Sequence, residues 1–190
     1  MKRTREMALL AIFSGLIVAL SFIPYTGYIE YGGISITTIH IPVFIISIVL
    51  GYKAGAIVGG VWGAVCLIKA FLEPTIWNIP FQNPLVSFVP RLIVGFLAGF
   101  IFFLLTRKSE KGLVFKMGFT FLITTIIHTA LVITLLFLIP NEVYSVNELK
   151  DLLAIIFTVN LLIEASLATI VGTLVSLRLR KAYKRYESIS

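Results

Sequence analysis

Charged residues are scarce in this chain. Only 13% of its 190 residues are Asp, Glu, Lys or Arg, and its mean hydropathy is +1.02. A soluble globular domain carries about 25% charged residues because its surface is solvated, so much of this chain's surface must face lipid. The apolar runs are long and do not alternate, whereas a barrel strand shows about 10 residues in strict alternation. The pattern indicates membrane helices.

Groups that perform catalysis or hold metals are scarce as well. The single cysteine, Cys66, excludes an intrachain disulfide and a cysteine metal cage. Asp151 is the single aspartate, so the chain offers no Asp cluster for Mg²⁺-dependent phosphoryl transfer. The sequence contains neither a G-x-x-x-x-G-K-[ST] phosphate loop nor an H-E-x-x-H motif. We therefore expect no catalytic residue, no metal site and no cofactor, and no ATP hydrolysis by this chain.

Six apolar stretches account for most of the sequence. They lie near Met7–Pro24, Ile36–Leu50, Ala54–Leu72, Leu85–Leu105, Leu113–Ile139 and Leu152–Leu177. A spanning helix needs about 20 apolar residues; the second stretch is short and the last two are long, which tilted helices accommodate. We predict an all-α membrane protein in which residues 1–190 form one compact bundle of six transmembrane helices.

The basic residues predict the orientation of this bundle. With six spans, thirteen of the sixteen Lys and Arg residues fall on one side, and the exceptions are Lys69, Arg91 and Lys150. Basic residues are retained in the cytoplasm, so both termini are predicted to be cytoplasmic. Membrane topology and anionic headgroups then account for the net charge of +7. We expect no nucleic-acid partner.

Small residues recur at four-residue spacing in several of the predicted helices. Such stripes let helix backbones approach closely in lipid. The stripes comprise Ala11, Gly15 and Ala19; Gly51, Gly55, Gly59 and Gly63; Gly95 and Gly99; and Ala168, Gly172 and Ser176. Most such stripes pack inside the bundle, and the first stripe is also consistent with a docking face for another membrane protein.

Polar residues within the predicted spans indicate a ligand site. An ionised Glu164 in the sixth helix would cost at least about 2.5–3.5 kcal/mol, so polar groups at such depth face a cavity or one another. The candidates for ligand binding are Asn160, Glu164, His128, Arg91, Lys69, Asn83, Tyr28 and Trp62. The alternative is structural, with Glu164 paired to His128, and with Arg91 and Lys69 extending to the interface. His40 is interpreted as a cap or interface residue.

The predicted outer connections are longer than the inner ones. They cover Tyr25–Ser35, Glu73–Pro84 and Pro140–Asp151, whereas the inner connections cover Gly51–Lys53 and Arg107–Gly112. Longer outer loops indicate recognition on that side, although their aromatic residues also fit an interfacial belt. We predict that the ligand site lies in the outer half of the bundle.

Three segments together resemble a known family. They are "MALLAIFSGLIVALS", "HIPVFIISIVLGYKAGAIVGGVWGAVCLIKAF" and "NPLVSFVPRLIVGFLAG", and they resemble the substrate-binding S components of energy-coupling factor (ECF) vitamin transporters. The resemblance spans nearly the whole chain. It implies a vitamin-binding subunit of the bacterial cytoplasmic membrane that docks on a transmembrane coupling subunit with two ATPase subunits. By the same resemblance, Ala11, Gly15 and Ala19 form the docking contact, and the Tyr25–Ser35 loop closes over the ligand.

The same residues indicate two candidate vitamins, pantothenate and riboflavin. The "HIPV" and "NPLVSFVPR" segments resemble pantothenate-type members, and Arg91 with Lys69 suits a carboxylate. Glu164 would repel an anion unless it is neutral or paired, whereas riboflavin would suit Trp62, the tyrosines and Asn160. A stand-alone secondary transporter is the alternative class, although the chain shows no convincing internal repeat. A small intramembrane enzyme is disfavoured by the missing catalytic groups.

Overall fold

Helices dominate the computed structural model of the protein, which describes residues 2–31, 34–75, 78–139 and 161–187. The first five are α1 (Lys2–Phe22), α2 (His40–Leu50), α3 (Tyr52–Leu72), α4 (Pro84–Thr106) and α5 (Leu113–Leu138). A last helix, α6, comprises Leu161–Leu167, a π-helical turn at Ala168–Gly172, and Thr173–Glu187. Within these described ranges, every helix except α2 is long and apolar enough to cross a membrane, which makes five. The chain is therefore a multi-pass α-helical membrane protein.

The connection between α1 and α2 contains a β-hairpin that was not predicted from the sequence. Strand β1 (Tyr28–Tyr31) pairs antiparallel with β2 (Ile34–Thr37), and Tyr28 lies opposite Thr37. The residues of β2 include Ile and Thr, which favour extended backbone. This strand occupies the positions where the second helix was predicted to begin, near Ile36. Helix α2 therefore starts four residues later, at His40.

The outermost helix ends also differ from the prediction. Helix α1 begins at Lys2 rather than near Met7, and α6 continues past Leu177 to Glu187. Hydropathy marks only the apolar part of a helix, whereas Lys, Arg, Glu and Met are good helix formers and extend it into the polar region. The predicted start of the sixth helix at Leu152 lies outside the described residues.

Helix α2 forms the centre of the bundle. All residues from His40 to Ile48 are buried, and α2 contacts each of α1, α3, α4, α5 and α6. A helix that is apolar on every side is stable only when it is surrounded. Its single-residue connection to α3 is Gly51, whose φ of 94° lies in the left-handed region that glycine tolerates. The two helices are therefore held close together at this end.

Helices α3 and α4 pack backbone to backbone through glycine. A Cβ at Gly55 or Gly59 would meet a backbone carbonyl of α4, at Gly95 and Arg91 respectively, and a Cβ at Gly63 would meet the backbone of Phe88. Removing the side chain at these positions is what allows the close approach. The glycine stripes of α3 and α4 therefore serve internal packing.

The small residues of α1 have a different environment. Ala11, Gly15 and Ala19 are all exposed in the structure. No atom outside the local helix lies within 4 Å of a Cβ placed on Gly15. This stripe therefore makes no close internal contact of the kind that joins α3 to α4.

Polar contacts join three segments at one end of the bundle. The Tyr183 hydroxyl donates to Glu6 at 3.2 Å, which joins the last part of α6 to the first part of α1. Glu110, between α4 and α5, pairs with Arg180 at 2.9 Å and with Lys184 at 2.7 Å. The hydrogen bond from Lys184 holds the pKa of Glu110 below its usual value. The beginning of α1 and the end of α6 thus lie on the same side.

The glycine packing generates a prediction for neighbouring positions of α3. Gly59→Ala should lower the free energy of unfolding by about 1–3 kcal/mol, because the added methyl group meets the α4 backbone. Gly60→Ala is the matched control, since a Cβ there lies 3.7 Å from the Phe88 ring, an ordinary contact. Thermal unfolding in detergent measures both. Equal stability of the two variants would contradict this account of the interface.

Candidate functional site

Four buried side chains meet where α2 begins. We call His40, Trp62, Arg91 and His128 the central cluster; each is at most 6% exposed. The His128 ring centroid lies 4.9 Å from that of Trp62 and 6.4 Å from that of His40. The guanidinium carbon of Arg91 lies 5.4 Å from the Trp62 centroid. The cluster therefore joins α2, α3, α4 and α5 around one group of polar atoms.

Several polar atoms of the central cluster are buried without a hydrogen-bond partner among the described residues. They include Nε2 of His128 and Nε of Arg91. An unpaired buried polar group costs about 1–3 kcal/mol. Such a concentration is difficult to explain by packing alone. It marks a place suited to a small molecule with several hydrogen-bonding groups.

Arg91 provides the positive charge of the site. Its guanidinium carbon lies 5.1 Å from the ring centroid of Phe81 and 5.4 Å from that of Trp62, so the cation contacts two aromatic rings. Its Nη1 donates to the backbone carbonyl of Val86. A guanidinium fixed in this way is suited to binding a carboxylate, because Arg pairs with carboxylates through parallel N–H donors.

The hairpin approaches the cluster through Tyr28. The Tyr28 hydroxyl accepts a hydrogen bond from Nε1 of Trp62 at 3.4 Å. Lys69 also contacts Tyr28, with its Nζ 5.3 Å from the ring centroid. That Nζ also donates to the carbonyl of Ser21 at 3.0 Å and pairs with Glu73 at 3.4 Å. Lys69 therefore connects α3 with the end of α1 and with the hairpin.

Glu164 of α6 also contacts the hairpin. Its side chain is 4% exposed, and Oε1 accepts a hydrogen bond from the backbone N–H of Thr37, the last residue of β2. The sequence analysis considered a pair between Glu164 and His128, whereas the contact that the structure describes is with Thr37. This bond ties the hairpin to α6 beside the central cluster.

Two other candidate residues have different positions. The side-chain oxygen of Asn83 accepts from the N–H of Leu85 at 2.9 Å, and Asn83 thereby caps α4. Asn160 lies outside the described residues, as does the predicted outer connection Pro140–Asp151. The structure therefore brings Trp62, Arg91 and His128 together, and Lys69 and Glu164 contact the adjacent hairpin, to which Tyr28 belongs.

The sequence analysis missed His40 as a site residue. The residue that precedes α2 is Ile39, no side chain caps this helix, and His40 is 1% exposed within the cluster. A signal was nevertheless present, because the chain contains only two histidines and each lies in an apolar segment. Two imidazoles placed at membrane depth indicate a shared polar environment.

A membrane bundle with buried cationic and imidazole groups beneath a hairpin has the form of a membrane-embedded solute-binding protein. The model of one known family, described as "ECF transporter, substrate-specific component", matches residues 5–176. The chain therefore belongs to the family of ECF transporter substrate-specific components, and it is a transport protein.

Two curated proteins are similar along much of their length. One is "Pantothenate transporter PanT" from Leuconostoc mesenteroides subsp. mesenteroides, which is 32% identical over 139 residues, covering 70% of this chain and 68% of that protein. The other is "Pantothenic acid transporter PanT" from Lactococcus lactis subsp. cremoris. It is 30% identical over 199 residues, covering 96% of this chain and 98% of that protein.

The Glu164 contact predicts how the hairpin responds to substitution. Glu164→Leu removes the acceptor for Thr37 N–H, so this amide should exchange with solvent about tenfold or more faster, given the strength of a hydrogen bond to a charged group. Glu164→Gln keeps an acceptor oxygen and should change exchange less. Hydrogen–deuterium exchange of the hairpin measures this, with Ser166→Ala on the exposed face as control. Unchanged exchange in Glu164→Leu would show that the hydrogen bond from Thr37 to Glu164 does not hold the hairpin in place.

Proposed function

We propose that this protein is the pantothenate-binding subunit of an ATP-driven ECF uptake transporter in the bacterial cytoplasmic membrane. The observation that carries the choice of ligand is the buried guanidinium of Arg91, whose Nε has no partner among the described residues. The names of the two PanT relatives support the same choice. The substrate-binding unit comprises residues 1–190.

The chemistry of the central cluster matches the groups of pantothenate. This vitamin carries one carboxylate, one amide and two hydroxyl groups. Arg91 binds the carboxylate, and the unpartnered Nε2 of His128, with the neighbouring imidazole of His40, faces the amide and hydroxyl groups. Glu164 uses Oε1 to hold the hairpin through the N–H of Thr37. Lys69 and Asn160 complete the site, and Asn83 contributes by capping the helix that carries Arg91.

We further propose six membrane crossings with both termini in the cytoplasm. The beginning of α1 and the end of α6 are in contact through Glu6 and Tyr183, which is compatible with an even number of crossings. The basic residues concentrate on this side, where cytoplasmic retention favours them. In this arrangement the hairpin and the central cluster face the outside, from which the vitamin arrives.

The exposed stripe of α1 is the proposed docking surface for the coupling subunit. Ala11, Gly15 and Ala19 leave the helix backbone open to close approach by another helix. The coupling subunit and two ATPase subunits then supply the ATP-dependent step, for which this chain has no phosphate-binding motif. The ligand-binding and energy-consuming parts of the transporter are thus separate chains.

Calorimetry with purified protein tests the ligand assignment. Wild type should bind pantothenate, and Arg91→Gln should weaken that binding at least about tenfold, because a hydrogen bond to a charged group is worth about 1.5–3 kcal/mol. Arg107→Gln is the control, since Arg107 is exposed at the end of α4. Tight binding of riboflavin together with no binding of pantothenate would refute the assignment.

The docking surface predicts a separation of transport from binding. Gly15→Leu should abolish complex assembly and vitamin uptake, since the larger side chain prevents close helix approach, while pantothenate affinity stays within about twofold of wild type. Val18→Leu, at an exposed position that already carries a larger side chain, is the control. The measurements are co-purification with the coupling subunit and uptake into liposomes. Concentrative uptake by this chain alone would instead indicate a secondary transporter.

A further inference from the structure

In α4, a proline immediately precedes Arg91 in the sequence. Pro90 lies inside this helix and has no backbone N–H. In a regular α-helix, the N–H of residue 90 would donate to the carbonyl of residue 86. The Val86 carbonyl is therefore left without its normal helical donor, in a buried part of the bundle where an unpaired carbonyl is costly.

The side chain of Arg91 takes the place of the missing donor. Its Nη1 donates to the Val86 carbonyl, five residues earlier in the chain. This contact satisfies the carbonyl and also fixes the orientation of the guanidinium group. With Nη1 occupied, the edge formed by Nε and Nη2 is the one that offers two parallel N–H donors to a carboxylate. Nε has no partner among the described residues.

The surroundings hold Arg91 in the same position. At the backbone, Gly59 allows α3 to lie against the Arg91 carbonyl. At the side chain, the rings of Trp62 and Phe81 lie within 5.4 Å and 5.1 Å of the guanidinium carbon. The Val86 carbonyl adds a directional hydrogen bond to Nη1, which the two ring contacts do not provide.

We propose that Pro90 is a positioning residue for recognition of the ligand's carboxylate. By removing one helical hydrogen bond, Pro90 provides a carbonyl that anchors Nη1 of Arg91 and leaves the Nε edge for the ligand. This inference rests on the proposed function, because it requires a carboxylic acid as ligand. It assigns part of the specificity for an acid to a residue that carries no charge.

Pro90→Ala tests the proposal, because alanine restores a backbone N–H that competes with Arg91 for the Val86 carbonyl. Calorimetry would compare pantothenate with the analogue in which CH₂OH replaces the carboxylate. The variant should bind pantothenate about tenfold more weakly and the alcohol within about twofold of wild type, since only the acid uses the oriented edge. Equal weakening for both ligands would overturn the proposal.

Two controls separate positioning from a general structural effect. In an Arg91→Gln background, Pro90→Ala should cause no further loss of pantothenate affinity, because the group it positions is absent. Pro84→Ala should change neither affinity, since Pro84 is the first residue of α4, where a helix needs no N–H donor. A further tenfold loss in the Arg91→Gln background would overturn the proposal.

Failure of the proposed function gives a different result. If wild type binds neither pantothenate nor its alcohol analogue, the ligand assignment is wrong before any variant is compared. Thermal unfolding of the ligand-free protein then tests whether Arg91 replaces the backbone donor that Pro90 lacks. Arg91→Gln should lower Tm less in the Pro90→Ala background than in wild type, because the Val86 carbonyl then has another donor. Additive Tm shifts would overturn the inference.

Discussion

An α-helix of 11 residues covers only about 16 Å, whereas the hydrocarbon layer of a bilayer is about 30 Å thick. Helix α2 therefore covers only about half of that layer, and its first residue, His40, lies inside the bundle. Backbone and polar side chains at that depth must be enclosed by protein. The five surrounding helices and the hairpin provide this enclosure, and the central cluster occupies the space adjoining the start of α2.

The same small residues serve two purposes in this molecule. Between α3 and α4, Gly55 and Gly59 bring two backbones into contact and give Trp62 and Arg91 a rigid support. On α1, nothing outside the local helix lies within 4 Å of a Cβ placed on Gly15, so the helix backbone is accessible there. One use fixes the site, and the other leaves a helix available for association. The small residues have the same four-residue spacing in both cases, so only their neighbours in the structure distinguish the two roles.

Polarity at membrane depth made part of the site predictable. Arg91, His128 and Glu164 stand out in apolar segments, because their burial requires a partner or a ligand. The hairpin was not predictable in the same way, since four-residue strands carry little periodic signal and depend on pairing. The contact between Glu164 and Thr37 was not predictable either, because the two residues are 127 positions apart in the sequence. His40 was missed because a polar residue at the start of a helix ordinarily indicates a cap.

The π-helical turn in α6 changes the direction in which the side chains after it point, relative to those before it. An α-helix rotates by about 100° per residue, so from residue 164 to residue 180 it completes four turns and about 160° more. Glu164 and Arg180 would then point to nearly opposite sides. The additional residue of the π turn at Ala168–Gly172 takes up about 100° of that rotation. Both ends of α6 consequently contact other segments through polar groups, Glu164 the hairpin and Arg180 the exposed Glu110 between α4 and α5.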